Sequence, residues 1–128
     1  MQKPKFRSKF EENIWRVALQ NKKKMEYETL TISYTIPASD HKYFPDFILP
    51  NGIIVEAKGK LDIRTCKKMI AVKKCNPTLD IRFVFMNAQN KMSKRSKTRY
   101  WEWAEQHNFP WAQGTIPLEW WKEKKKNG

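Results

Sequence analysis

Apolar residues at Phe10, Ile14, Val17 and Ala18 recur at helical spacing behind Ser8 and Glu11, whose separation is that of a capping box. The pattern predicts a first helix from about Lys9 to Gln20, ended by Asn21 and the lysines at 22–24. Leu30, Ile32, Tyr34 and Ile36 then alternate with Thr31, Ser33 and Thr35, the period of a strand with one buried face. Pro37 should stop its pairing, and Pro37 to Lys42 should link it to the next element. That element, Tyr43 to Gly59 (YFPDFILPNGIIVEAKG), has the turn residues and flanking apolar runs of a β-hairpin. A second helix is expected from an Asp62 cap to about Lys74, with Ile63, Cys66 and Ile70 as its inward stripe. Asp80 to Met86 (DIRFVFM) reads as a central strand, and Asn87 to Arg99 as a polar, basic loop. A third helix from about Thr98 to His107 carries Tyr100, Trp103 and His107 on one side, and the tail from Lys122 is too charged to pack. The order is mixed α/β in one domain spanning 1–128, with the first strands antiparallel and a crossover helix returning the chain to a neighbouring strand position.

The hairpin carries the chemistry, because its register decides whether Asp46, Glu56 and Lys58 can meet. A two-residue turn at Asn51 and Gly52 would set Asp46 and Glu56 on opposite faces. A three-residue loop of Pro50, Asn51 and Gly52 instead pairs Leu49 with Ile53, Phe47 with Val55 and Asp46 with Glu56, and puts Lys58 on the face of Glu56. Pro50 suits the first corner of a type I turn, Asn51 the second and Gly52 the left-handed closing position. Phe47, Leu49, Ile53 and Val55 then form the buried face. Two carboxylates and an ammonium held together in this way can bind a divalent cation beside a phosphate.

Composition points to the same class of partner. A net charge of +13 over 128 residues favours a polyanion, and 40% hydrophobic content excludes a disordered basic tail. No apolar run reaches membrane-span length and MQKPKFRSKF lacks a signal-peptide core, so a soluble intracellular protein is expected. Cys66 and Cys75 lie too far apart in one helix for a disulfide, and with His41 and His107 they are given structural or incidental roles rather than those of zinc ligands. Trp15, Trp103 and Trp111 are assigned to the core; Trp101, Trp120 and Trp121 are unassigned.

An Asp followed by Glu-x-Lys on the next strand resembles the PD(D/E)xK nuclease superfamily. Within it the chain is similar to the phage endonuclease I family of junction-resolving enzymes, through FRSKFE at Phe6, IPASDHKYFPDFILPNGIIVEAKG at Ile36, LDIRFVF at Leu79 and IPLEWWKE at Ile116, all in the same order. The resemblance implies a restriction-endonuclease-like mixed sheet flanked by helices, in an intertwined homodimer that exchanges the strand and linker around 29–42. It also implies that Asp46 and Glu56 ligate Mg²⁺ or Mn²⁺, two ions per site, with the Ala57 carbonyl and with Glu11 from the other subunit, while Lys58 orients or activates the attacking water. The product would carry a 5′-phosphate, and the setting would be the bacterial cytoplasm of a phage or prophage host. The basic arm at about 1–7 and the tail at about 122–128 are shorter than those of the family.

Beside these readings stand plainer ones. Glu-x-Lys recurs in the tail at Glu123, Asp46 and Glu56 could be a solvated cross-strand pair, and Glu11 could serve only the helix cap. Lys91, Lys94, Arg95, Lys97 and Arg99 form the densest internal basic cluster and are read, with Arg7 and Lys60, as DNA contacts made to phosphate rather than to base edges, so that binding should weaken steeply with salt. Four-way junctions and related branched DNA are the expected substrate. The alternatives are a non-catalytic basic nucleic-acid-binding module, or a nuclease of the same superfamily acting on linear or mismatched duplex.

Overall fold

In the computed structural model, which describes residues 4–36 and 39–125, the chain runs α1 (Lys9–Gln20), β1 (Glu26–Tyr27), β2 (Ile32–Ile36), β3 (Ser39–Tyr43), β4 (Phe47–Ile48), β5 (Ile54–Lys58), α2 (Ile63–Cys75), β6 (Ile81–Phe85), α3 (Tyr100–Gln106), β7 (Trp111–Gln113) and α4 (Leu118–Lys122). Five strands form one mixed sheet in the order β1-β4-β5-β6-β7, antiparallel up to β5 and parallel from there. The parallel step from β5 to β6 is the expected crossover through α2.

Two apolar cores sandwich the sheet. On one face Ile54, Ile81, Phe83 and Phe85 meet Cys66, Met69 and Val72 of α2, Tyr100, Trp103 and Ala104 of α3, and Ile32, Tyr34 and Tyr43 of the β2–β3 ribbon. The opposite face puts Phe47, Leu49, Ile53, Val55, Ala57 and Val84 against Ile14, Trp15 and Ala18 of α1 and against Trp120 of α4. Cover on both sides is why β5 and β6 are buried almost without interruption rather than at alternate residues.

The hairpin has the three-residue loop. Phe47 pairs with Val55, the Leu49 N–H donates to the Ile53 carbonyl (2.9 Å), and the Gly52 N–H closes the turn on the Leu49 carbonyl (2.9 Å) with Gly52 at φ 90°. Asn51 ties this turn to the C-terminal helix, its Nδ2 donating to the carbonyls of Trp120 (2.7 Å) and Glu123 (2.9 Å).

Three expectations are corrected. Ser39–Tyr43 is a strand paired with Ile32–Ile36, not part of a linker, because a second strand satisfies backbone groups that an extended β2 would leave unpaired. Pro37 lies outside the described residues, as do the first three residues of the arm and the last three of the tail. The inward stripe of α2 is Cys66, Met69 and Val72, whereas Ile63 is 68% exposed and Ile70 38%. The tail does pack at its start: Glu123 grips the Arg82 guanidinium (2.6 and 2.8 Å), which Asp80 holds from the other side, neutralising a buried cation in a central strand. Trp15 and Trp103 are core as expected, Trp111 is partly buried, and Trp120 is buried too. Both cysteines are free, Cys66 buried and Cys75 exposed. Among the described residues no helix is long and apolar enough to cross a membrane.

Candidate active site

The Ser8 cap starts α1 by accepting the Glu11 N–H (3.2 Å), but the Glu11 carboxylate does not turn back to Ser8. Its Oε1 accepts instead from the Arg7 N–H (3.0 Å) and from the Tyr27 hydroxyl (2.6 Å), which brings a buried acidic group from the helix toward the sheet edge. Immediately after the short strand β1, the Glu28 N–H donates to the Asp46 carbonyl (3.0 Å), and the Glu28 backbone is left-handed at φ 52°. That conformation is uncommon away from glycine and places Glu28 beside Asp46. One carboxylate oxygen from each of Glu11, Glu28 and Asp46 then lies within 4.8 Å of the other two.

Continuing the hairpin register puts Asp46 across from Glu56, and the Asp46 Oδ2 accepts the buried Ala57 N–H (2.9 Å). Glu56 is not one of the clustered three. Its Oε2 accepts the Tyr43 hydroxyl in a short hydrogen bond, and the Lys58 ammonium lies 3.5 Å from its Oε1. Asp46 and Glu56 are 6% and 3% exposed, so both meet water poorly. Burial first, and then the Glu56 charge, push the Asp46 carboxyl up to about 8 against the opposing Ala57 N–H. Burial likewise raises Glu56, opposed chiefly by Lys58 and by the Tyr43 hydroxyl, and holds that phenol well above its ordinary range as a standing donor.

These donors suit a hard divalent cation. Carboxylate oxygens are its preferred ligands, and neighbouring acids that repel one another are relieved by positive charge between them. Glu28 supplies a further sign: its Oε2 is buried without a hydrogen bond, since the Arg7 Nε, 2.9 Å away, forms an ion pair out of line with its N–H.

Of the residues singled out in the sequence, Glu11 and Asp46 come together within one chain, Glu56 and Lys58 stand beside them, and Ala57 contributes its N–H to Asp46. Arg7 sits at the acidic cluster. Lys60, Lys91, Lys94 and Arg99, with Arg64 of α2, line an open cleft of about 1010 Å³ that also takes in Asp62 and Tyr100. Arg95 and Lys97 are exposed on the same loop but outside that lining. Glu28 and the two tyrosines went unread in the sequence. The available signal was the acidic pair around Tyr27 (EYE) in a strongly basic chain.

The sequence profile of the phage endonuclease I family matches residues 1–127. The chain is 44% identical over 121 residues to Endonuclease I of Escherichia phage T7, covering 94% of this chain and 81% of that protein. It is 43% identical over 121 residues to Endodeoxyribonuclease 1 of Enterobacteria phage T3, covering 94% and 80%.

Proposed function

Because the chain belongs to the phage endonuclease I family, we propose that it is a metal-dependent, structure-selective DNA endonuclease that resolves four-way junctions and related branched DNA. The observation that carries this reading is the convergence of Glu11, Glu28 and Asp46 within 4.8 Å, beside a buried Glu56 and its Lys58. Asp46 and Glu11, with Glu56 and the Ala57 carbonyl, would hold Mg²⁺ or Mn²⁺, two ions when fully loaded, and Glu28 is close enough to share in the binding. Bound there, such ions supply Lewis acidity and offset the charge that builds on the attacked phosphate.

The remaining work falls to the chain. Lys58, 22% exposed and anchored to Glu56, meets the phosphate and orients a water for in-line attack. The water oxygen bonds to phosphorus, the bond to the 3′ oxygen breaks, and a 5′-phosphate and 3′-hydroxyl remain. Lys60, Arg64, Lys91, Lys94 and Arg99 line the neighbouring cleft with cationic groups suited to a duplex arm, gripped by its phosphates rather than its bases. A homodimer that exchanges the segment around 29–42 would provide two linked sites for two symmetric strands. The setting would be the cytoplasm of a phage-infected or lysogenic bacterium.

The test is nicking of a four-way junction and of its component duplexes, with Mg²⁺ or with EDTA, by the wild type, Asp46→Asn and Glu56→Gln. Metal-dependent cleavage favouring the junction is expected from the wild type alone. Each variant should lose at least about 100-fold in rate, or about 2.7 kcal/mol in barrier, while still binding the junction. Binding without nicking by every form would leave a non-catalytic module. Equal cutting of linear duplex would remove the branch selectivity.

A further inference from the structure

Two of the acidic side chains are each held by a tyrosine, and the two tyrosines reach them from opposite faces of the sheet. Tyr43, at the end of β3, is 1% exposed and packs in the core shared with α2 and α3, with its hydroxyl on Glu56 Oε2. Tyr27, at the end of β1, packs against Phe6 (ring centroids 4.7 Å) and Phe47 (5.4 Å), with its hydroxyl 2.6 Å from Glu11 Oε1. For packing alone phenylalanine would serve at either position, and a hydroxyl taken out of water, fully at Tyr43 and partly at Tyr27, is costly unless it is satisfied. Each hydroxyl is spent on a carboxylate of the site.

The oxygens they choose matter. At Glu11 the Tyr27 hydroxyl and the Arg7 N–H both fall on Oε1, so neither takes Oε2, and the same carboxylate reaches the cluster with Asp46 and Glu28. At Glu56 the Tyr43 hydroxyl takes Oε2 and leaves Oε1 facing Lys58. We propose that Tyr27 and Tyr43 are positioning residues, each fixing through its hydroxyl which oxygen of Glu11 or Glu56 is presented to a bound divalent cation. The inference rests on the metal-dependent reading above. Outer partners of this kind typically tune metal affinity or activity by about 10- to 100-fold.

The experiment uses the full chain as wild type, Tyr27→Phe, Tyr43→Phe and, as a control, Tyr34→Phe, whose ring stacks on His41 rather than serving the acidic cluster. Mn²⁺ binding is measured by calorimetry without DNA, melting is measured in EDTA, and junction nicking is measured across a Mg²⁺ titration. The expected result is Mn²⁺ affinity lowered about 10-fold or more in Tyr27→Phe and Tyr43→Phe, with melting in EDTA close to wild type. Their kcat should fall at low Mg²⁺ and recover at high Mg²⁺ with KM for the junction unchanged, and Tyr34→Phe should match wild type throughout. Wild-type Mn²⁺ affinity in both variants overturns the proposal, as does a kcat deficit that added Mg²⁺ does not relieve. If Tyr43→Phe fails to fold, the same readouts on Tyr27→Phe decide it. A wild type that neither binds Mn²⁺ nor nicks would sink the metal-dependent reading itself, which is a different outcome from wild type and variants behaving alike.

Discussion

Asp46 shows at the scale of one residue what the acidic cluster costs the fold. Its carboxyl is pushed up to about 8, first by burial and then by Glu56, so the folded chain keeps a proton that the unfolded chain releases near the ordinary carboxylate value of about 4. The folded state therefore binds more protons through that window, and stability falls as pH rises across it. Glu56, also raised, adds in the same direction. Asp62, lowered by the Thr65 N–H at its helix cap, acts oppositely, but only below the ordinary carboxylate range. Melting in EDTA should thus be higher at about pH 5.5 than at about pH 8.5, and Mn²⁺ should restore the loss at the higher pH by replacing the proton. Equal melting at both values in EDTA would contradict this account. Asp46, Glu56 and Lys58 were legible in the sequence because a strand pair imposes a strict period of two. Glu28 was not, since its place depends on a two-residue strand at the sheet edge and on one left-handed backbone angle, neither of which leaves a periodic trace.

Elements set by local chemistry were legible to within a residue or so, and those set by partners were not. The Ser8 and Asp62 caps fix the starts of α1 and α2, each side chain accepting an N–H three residues on. The face that α2 buries is a different matter, because 63/66/70 and 66/69/72 are both acceptable helical stripes and only the sheet beneath selects the second. Strand β3 (SDHKY) has little strand character of its own and is extended because Ile32–Ile36 pairs with it. The hairpin loop is the opposite case, written into Pro50, Asn51 and Gly52. At φ 90° Gly52 is in a conformation that costs an L residue about 1–2 kcal/mol, while an added Cβ would meet nothing within 4 Å. Gly52→Ala should therefore lower stability by that amount, a drop of roughly 4–8 °C in melting temperature. Nicking per folded molecule should be unchanged, since the register of Phe47 with Val55 survives. A loss of activity in a fully folded Gly52→Ala protein would mean that the loop does more than set register.

For the molecule as a whole, the question is whether the contact between Glu11 and Asp46 closes within one chain or between two. The two residues stand on opposite sides of the β2–β3 ribbon in sequence, and a segment exchanged around 29–42 can preserve every such contact while moving it to a partner, because swapped and unswapped forms share the same interfaces. Mixing two inactive variants separates the arrangements. In an exchanged dimer formed from Glu11→Gln and Asp46→Asn chains, one site collects both defects and the other neither, so co-refolded protein should recover junction nicking, one cut per heterodimer, at up to about half the heterodimer's normal site number. If each site is built within one chain, every site carries one defect and no mixture recovers. Each variant alone is inactive in both cases, and co-purification of the untagged variant with an affinity-tagged partner variant confirms that heterodimers have formed. Recovery in the mixture would also make paired cutting of a symmetric junction a property of the chain path, because the two sites would then be joined by the exchanged strands.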